Sequence, residues 1–333
     1  MFILSLTGKI ITYFRQNCLL CKREPVCKIE SPNFQKSHWG GESVKKSRLY
    51  PWYFAFGSLL FYTVLSVVPG LLGIGYSFTD WSAYSREIHF VGVQNFKEVF
   101  TGNYFKYITN TLTLTIVTTI AKTVLGLFFA VILTGGIKGQ NFHRGILYMP
   151  SVIPILVIGL TFTSILNPKY GFLNTSLRAL GLDSLAKKWL TDPKLAFPTV
   201  MTVDIWRGVG YIMTMLIAGI MAIPRDYYEA AAIDGANAWN KFLHVTLPML
   251  RQTLAVCIIL NVIYGLKVFD MVYALTNGGP GHRTEVMYTA VFKLFSKGLY
   301  AAGTTVSSVL FIFMAVTGYF MVKVLTRGEV VEE

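Results

Sequence analysis

Residues 107–134 read YITNTLTLTIVTTIAKTVLGLFFAVILT, an apolar run interrupted by one ionisable side chain, Lys122. A helix needs about 20 mostly apolar residues to cross the hydrocarbon core of a bilayer. Five more stretches meet that requirement, at 52–77, 145–167, 197–222, 253–276 and 301–325. The expected fold is all-α, a polytopic membrane bundle with six transmembrane helices over residues 51–333. A basic segment over 1–50 precedes it.

Composition points the same way. Of 333 residues, 53% are hydrophobic and only 14% are charged, where a soluble domain carries about 25% charged residues. That leaves too little polar surface for a soluble globule of this length. The net charge is +13. Its Lys and Arg residues fall mostly between apolar runs, whereas a nucleic-acid binder clusters them on soluble elements. The neighbour implied is a lipid bilayer and not a nucleic acid.

The N-terminus does not read as a signal peptide, because Phe2–Leu6 is too short for an apolar core and Lys9 interrupts it. Ile3, Leu6, Ile10 and Phe14 recur at helical spacing. That fits a short helix on the inner leaflet, or a start codon set too far upstream. Cys18, Cys21 and Cys27 offer three thiols with only a distant His38 as a fourth ligand. Tetrahedral zinc wants four well-placed ligands, so these are read as reduced cytoplasmic thiols, and no metal or cofactor is expected.

Flanking charge sets the orientation. Residues 1–50 hold nine Lys or Arg against three acids, which places the N-terminus in the cytoplasm. Six spans return the C-terminus to the same side. Segments placed inside then carry 16 Lys and Arg and those placed outside carry 11, with three more within spans. The loops near 78–106, 168–196 and 277–300 are substantial and fall outside. Of the inner loops, 135–144 is short and 223–252 is about 30 residues long. The latter holds Glu229-Ala-Ala-Ala-Ile-Asp-Gly235, a good helix former ended by glycine. Ala236 to Thr246 follows, and Leu247-Pro248 is expected to break the chain before the fifth span. The expectation is a helix–turn–helix lying on the cytoplasmic face.

This loop resembles the EAA loop of permeases from binding-protein-dependent, ATP-driven importers. The family pattern is EAA, three residues, Gly, nine residues, Ile, one residue, Leu-Pro. Here Glu229, Ala230, Ala231, Gly235, Leu247 and Pro248 fall at those positions, with Val245 for the usual Ile. The resemblance covers roughly residues 50–333 and is similar to the maltose-type sugar permeases. It includes Ser77-Phe78, Phe90 to Asn95, Asn110-Thr111, Gly171 to Asn174, Gly181, Trp189-Leu190, Asp204 to Arg207, Phe269-Asp270 and Thr276-Asn-Gly-Gly-Pro280. It implies a permease subunit in a bacterial inner membrane, translocating a sugar, in particular an oligosaccharide, delivered by an extracytoplasmic binding protein. It also implies a second, related permease and a cytoplasmic ATPase dimer gripping the EAA loop. Independently of the name, three small alanines give the loop helix a slim side for a groove, and Glu229 supplies a charge for pairing.

The chain is not expected to be an enzyme. A phosphate-binding loop of the G-x4-G-K-[ST] type needs a lysine, and Gly278-Gly-Pro-Gly-His-Arg-Thr284 lacks it. The five histidines are scattered and form no metalloprotease motif. An ion-driven secondary transporter is the rival class, and it leaves the 223–252 loop without a role.

Five ionisable residues lie deep in spans: Lys122, Asp204, Arg207, Lys267 and Asp270. Each costs about 2.5–3.5 kcal/mol to insert, so such residues face partners or cavities. Counted at about 1.5 Å per residue, both Asp–cation pairs fall in the middle-to-outer half and Lys122 lies deeper. Each pair is spaced i, i+3, which puts its members on one helix side. Two readings stay open: ion pairing between spans four and five, for example Arg207 with Asp270, or direct sugar contact. Asn261, Tyr264 and Gly265 surround the same stretch of span five and could line a sugar path.

Overall fold

The computed structural model describes residues 52–102 and 104–326. The basic segment 1–50, with its three cysteines and its apolar spacing, lies outside the described residues. Helices dominate what is described, and the only β feature there is one antiparallel bridge between Thr79 and Phe90. Four helices are long and apolar enough to cross a membrane: Phe56–Tyr76, Phe105–Thr134, Ala196–Met221 and Tyr300–Met321. Two bent pairs, Gln140–Val152 with Ile155–Ile165 and Ala238–Met249 with Arg251–Leu266, bring the number to six when each counts as one span.

The irregularities follow from proline. In span one, a π-helical turn at Thr63–Val67 precedes Val68–Tyr76, which carries Pro69 in its first turn. Proline has no N–H to bond four residues back, and the wider turn absorbs that loss. Span three bends by 95° between its halves. Ile153 is extended at φ −69°, ψ 133°, as a residue before proline prefers, and Pro154 then opens Ile155–Ile165.

Span five departs from the expected single helix over 253–276. Pro248 follows a π-helical turn at Phe242–Thr246, and that wider turn absorbs its missing N–H. The chain therefore does not break at Leu247-Pro248, and the 66° bend falls after Met249, ahead of Arg251–Leu266. That helix stops at Leu266. Lys267, Val268 and Phe269 are non-helical, and Asp270–Thr276 forms a separate short helix. Lys267 and Asp270 thus flank a break and do not share a helix side. The three long loops each contain a helix of their own: Gln94–Thr101, Phe172–Ala179 and Met287–Ser296.

Lipid tails are as apolar as leucine, so helices in a membrane associate by close packing and polar contacts, helped by small residues. Spans two and four follow this rule. Leu114, Val200, Val203, Met271 and Val286 share one buried cluster, and Ala130, Ile212, Met213, Leu216 and Leu250 share another. Gly210 of span four lies against the span-three backbone, where a Cβ would stand 2.0 Å from the Leu147 carbonyl oxygen. Residues 56–76 of span one, by contrast, include no buried side chain.

Gly210→Ala must push spans three and four apart. Overpacking of this kind costs roughly 1–3 kcal/mol. A lower unfolding temperature of the detergent-solubilised protein is the expected outcome. Gly57→Ala, which meets nothing within 4 Å, should not lower it.

Candidate functional site

Two places bring together the residues singled out by sequence. The first is the 223–252 loop. Arg225–Ile233 forms its leading helix. The helix ends where Ala236 N–H donates to the Ala231 carbonyl at 2.9 Å. Gly235 makes the reversal at φ +76°, a left-handed conformation that suits glycine alone at little cost. Asn237 caps the second helix by accepting from Asn240 N–H at 2.8 Å. A hydroxyl pair, Tyr228 with Thr246 at 3.0 Å, ties the two helices together. Glu229 and Ala230 are exposed, Ala231 is half-buried, and Ile233 is 88% exposed with Trp239 at 64%.

The second place is inside the bundle, where spans two, four and five meet. Lys122 of span two and Asp204 of span four form an ion pair, Nζ to Oδ2 at 2.6 Å, with side-chain exposures of 3% and 0%. Tyr264 of span five donates its hydroxyl to Asp204 Oδ1 at 3.0 Å. The Lys122 ammonium also stands 4.7 Å from the centre of the Tyr264 ring, a cation–π geometry. Arg207 donates an N–H to the Tyr264 oxygen at 3.4 Å, while its Nε is buried without a partner.

This corrects the expected pairing of Arg207 with Asp270. Arg207 makes no ion pair among the described residues, and Lys267 and Asp270 are exposed at the helix break. The partner of the buried carboxylate is Lys122, placed too deep by counting along the helix. Asn261 and Gly265 are buried on the same helix as Tyr264. The Asn261 amide nitrogen has no partner, and Gly265 packs on Thr115, where a Cβ would lie 2.8 Å from Oγ1.

A third cluster went unread in the sequence. Glu285 is 2% exposed; it contacts His282 and lies 3.1 Å from Lys293 Nζ. Asn110 of span two donates to the carbonyls of Arg283 and Glu285 at 3.0 and 2.8 Å. The 283–285 segment is thereby fastened to the N-terminal part of span two.

Residues 122–328 match the family described as binding-protein-dependent transport system inner membrane component, which is more than half of the chain. The probable ABC transporter permease protein YurN of Bacillus subtilis (strain 168) is 31% identical over 290 residues, covering 86% of this chain and 99% of its own. The trehalose/maltose transport system permease protein MalF of Thermococcus litoralis is 34% identical over 265 residues, covering 78% of this chain and 89% of its own. A crystal structure of a bacterial ABC transporter involved in the import of the acidic polysaccharide alginate superposes with TM-score 0.73. It covers 84% of this chain and 96% of that one at 22% identity, a likeness of fold.

Removing one partner of a buried ion pair leaves an uncompensated charge and costs about 3–5 kcal/mol, whereas removing both is far milder. Asp204→Ala should sharply lower membrane abundance and detergent thermal stability. Adding Lys122→Met to it should recover much of the loss. Asp270→Asn should change neither.

Proposed function

The chain belongs to the family of binding-protein-dependent transport system inner membrane components, and on that premise we propose that it is the sugar-translocating permease of an ATP-driven importer. An extracytoplasmic binding protein delivers an oligosaccharide. A second, related permease completes the membrane pore as a heterodimer, and a cytoplasmic ATPase dimer supplies the energy. The chain itself carries out no catalysis. Both termini and the 223–252 loop lie in the cytoplasm, and residues 51–333 form the permease domain. The trehalose/maltose permease among the relatives supports a sugar cargo.

The observation that carries this reading is the exposed helix Arg225–Ile233 with its Gly235 reversal, joining spans four and five. A groove on the ATPase can receive the small side formed by Ala230 and Ala231, with Glu229 available for a charge pair. Span four continues straight from this loop to Asp204, 17 residues or about 26 Å away. A push on the loop helix therefore reaches the interior cluster through one rigid element. Asp204, Arg207, Asn261, Tyr264 and Gly265 are assigned to the sugar path. An aromatic face covers the apolar face of a sugar ring, and the sealed Asp204 carboxylate holds the Tyr264 ring in place through its hydroxyl. Lys267 and Asp270 belong to the outer end of that path, at the break in span five.

Coupling is tested in membranes holding the whole transporter at matched protein levels. Glu229→Lys and Gly235→Pro should each cut maltose or trehalose uptake to below about a tenth while the chain stays inserted, because a mismatched charge or a Pro at φ +76° disrupts the docking helix. Full uptake in both variants contradicts the docking role.

The path is tested separately. Tyr264→Phe removes the hydroxyl that meets Asp204, and Asn261→Ala removes a buried amide. Each should raise the apparent KM for sugar roughly five- to tenfold, the mark of lost binding contacts. Unaltered KM in both variants removes this face of span five from the path.

A further inference from the structure

We propose that Lys122 is a positioning residue for the sugar site: with Asp204, it fixes the orientation in which Tyr264 meets the substrate. This rests on the reading that Tyr264 lines the path. Lys122 is 2% exposed and Asp204 0%, so both act through the Tyr264 ring and neither touches sugar.

The geometry supports this on three counts. A carboxylate offers about four acceptor positions on two oxygens. Lys122 takes one on Oδ2 at 2.6 Å and Tyr264 one on Oδ1 at 3.0 Å, which fixes the carboxylate plane and, through it, the Tyr264 hydroxyl. The ammonium also stands over one face of the Tyr264 ring at 4.7 Å. A sugar can then stack only on the opposite face. The Tyr264 hydroxyl is held from both sides, donating to Asp204 and accepting from Arg207, so the ring cannot swing away.

The neighbouring helix is shaped for the lysine stem. A Cβ on Gly208 would stand 2.6 Å from Lys122 Cε, 2.9 Å from Cδ and 3.0 Å from Nζ. Span four therefore gives up a side chain one turn below Asp204 where the lysine passes. A cross-link that served stability alone requires neither the ring contact nor a carboxylate shared with Tyr264.

The experiment uses the complete transporter with its partner permease, ATPase and binding protein, purified and reconstituted in liposomes. Initial rates of maltose and trehalose uptake are measured per assembled complex. Lys122→Gln keeps length and a hydrogen-bond donor but loses the charge. Its apparent KM should rise about tenfold with kcat within about twofold, and Lys122→Arg should bring KM back to within about threefold of the unaltered complex. Unchanged KM in Lys122→Gln overturns the proposal. So does a loss confined to kcat or to the amount assembled, which marks a purely structural cross-link. Should Lys122→Gln fail to assemble, Gly208→Ala gives the same reading by displacing the lysine stem with its charge intact. A raised KM there supports the proposal and an unchanged KM overturns it. If Tyr264→Phe and Asn261→Ala raise KM while Lys122→Gln does not, only the role of Lys122 falls. If none of them does, the path assignment itself fails.

Discussion

A lysine and an aspartate sealed inside a membrane bundle constrain almost everything around them. Each charge costs about 2.5–3.5 kcal/mol to place at bilayer depth. Lys122 and Asp204 offset that cost only by meeting at 2.6 Å. To let them meet, spans two and four must cross closely, and the glycines of those helices supply the room: Gly126 against Ile212 and Gly208 against the lysine stem. The same demand fixes the register of the two helices, because a shift of one residue swings the carboxylate away from the ammonium. Tyr264 then joins span five to the pair through a single hydroxyl.

Coupling and transport meet in this arrangement. Span four carries Asp204 and Arg207 near one end and leads into Arg225–Ile233 at the other, while span five leads out of the same loop to Tyr264. The two helices that hold the proposed sugar contacts are thus the two that flank the proposed docking loop. Any rigid displacement of the loop acts on both sides of the Asp204–Tyr264 hydrogen bond. On this account the bond is where a push from the cytoplasmic side is felt by bound substrate. Asn110, on the same helix that supplies Lys122, also holds the 283–285 segment, where buried Glu285 pairs with Lys293.

Much of this was legible in the sequence because bilayer physics is strict about length and polarity. The apolar runs marked the spans, and Gly235 after an alanine-rich stretch marked the reversal in the loop. The proline bend in span three was written in Pro150 and Pro154, though hydropathy alone reads 145–167 as one run. Other features escaped for definite reasons. Counting depth from helix ends assumes that the ends are level. Span two is 30 residues, or about 45 Å, and span four is 26. That difference, a helix crossing and a long lysine stem bring Lys122 level with Asp204. The break in span five is invisible to hydropathy, because Val268 and Phe269 keep the run apolar while leaving the helix. The helix Met287–Ser296 lay in a segment read as a loop, although Met287, Ala290 and Leu294, its buried apolar residues, recur at helical spacing. Buried Glu285 gave no signal, since its partners come from a turn and a helix that only the fold brings together.

The most direct measurement is an electron cryomicroscopy structure of the complete transporter in lipid nanodiscs, trapped with maltose or trehalose inside. The account predicts sugar density against the Tyr264 ring, with Lys122 still bonded to Asp204 on the other face of that ring. Sugar held elsewhere in the pore, or a Lys122–Asp204 pair opened to admit it, contradicts the account.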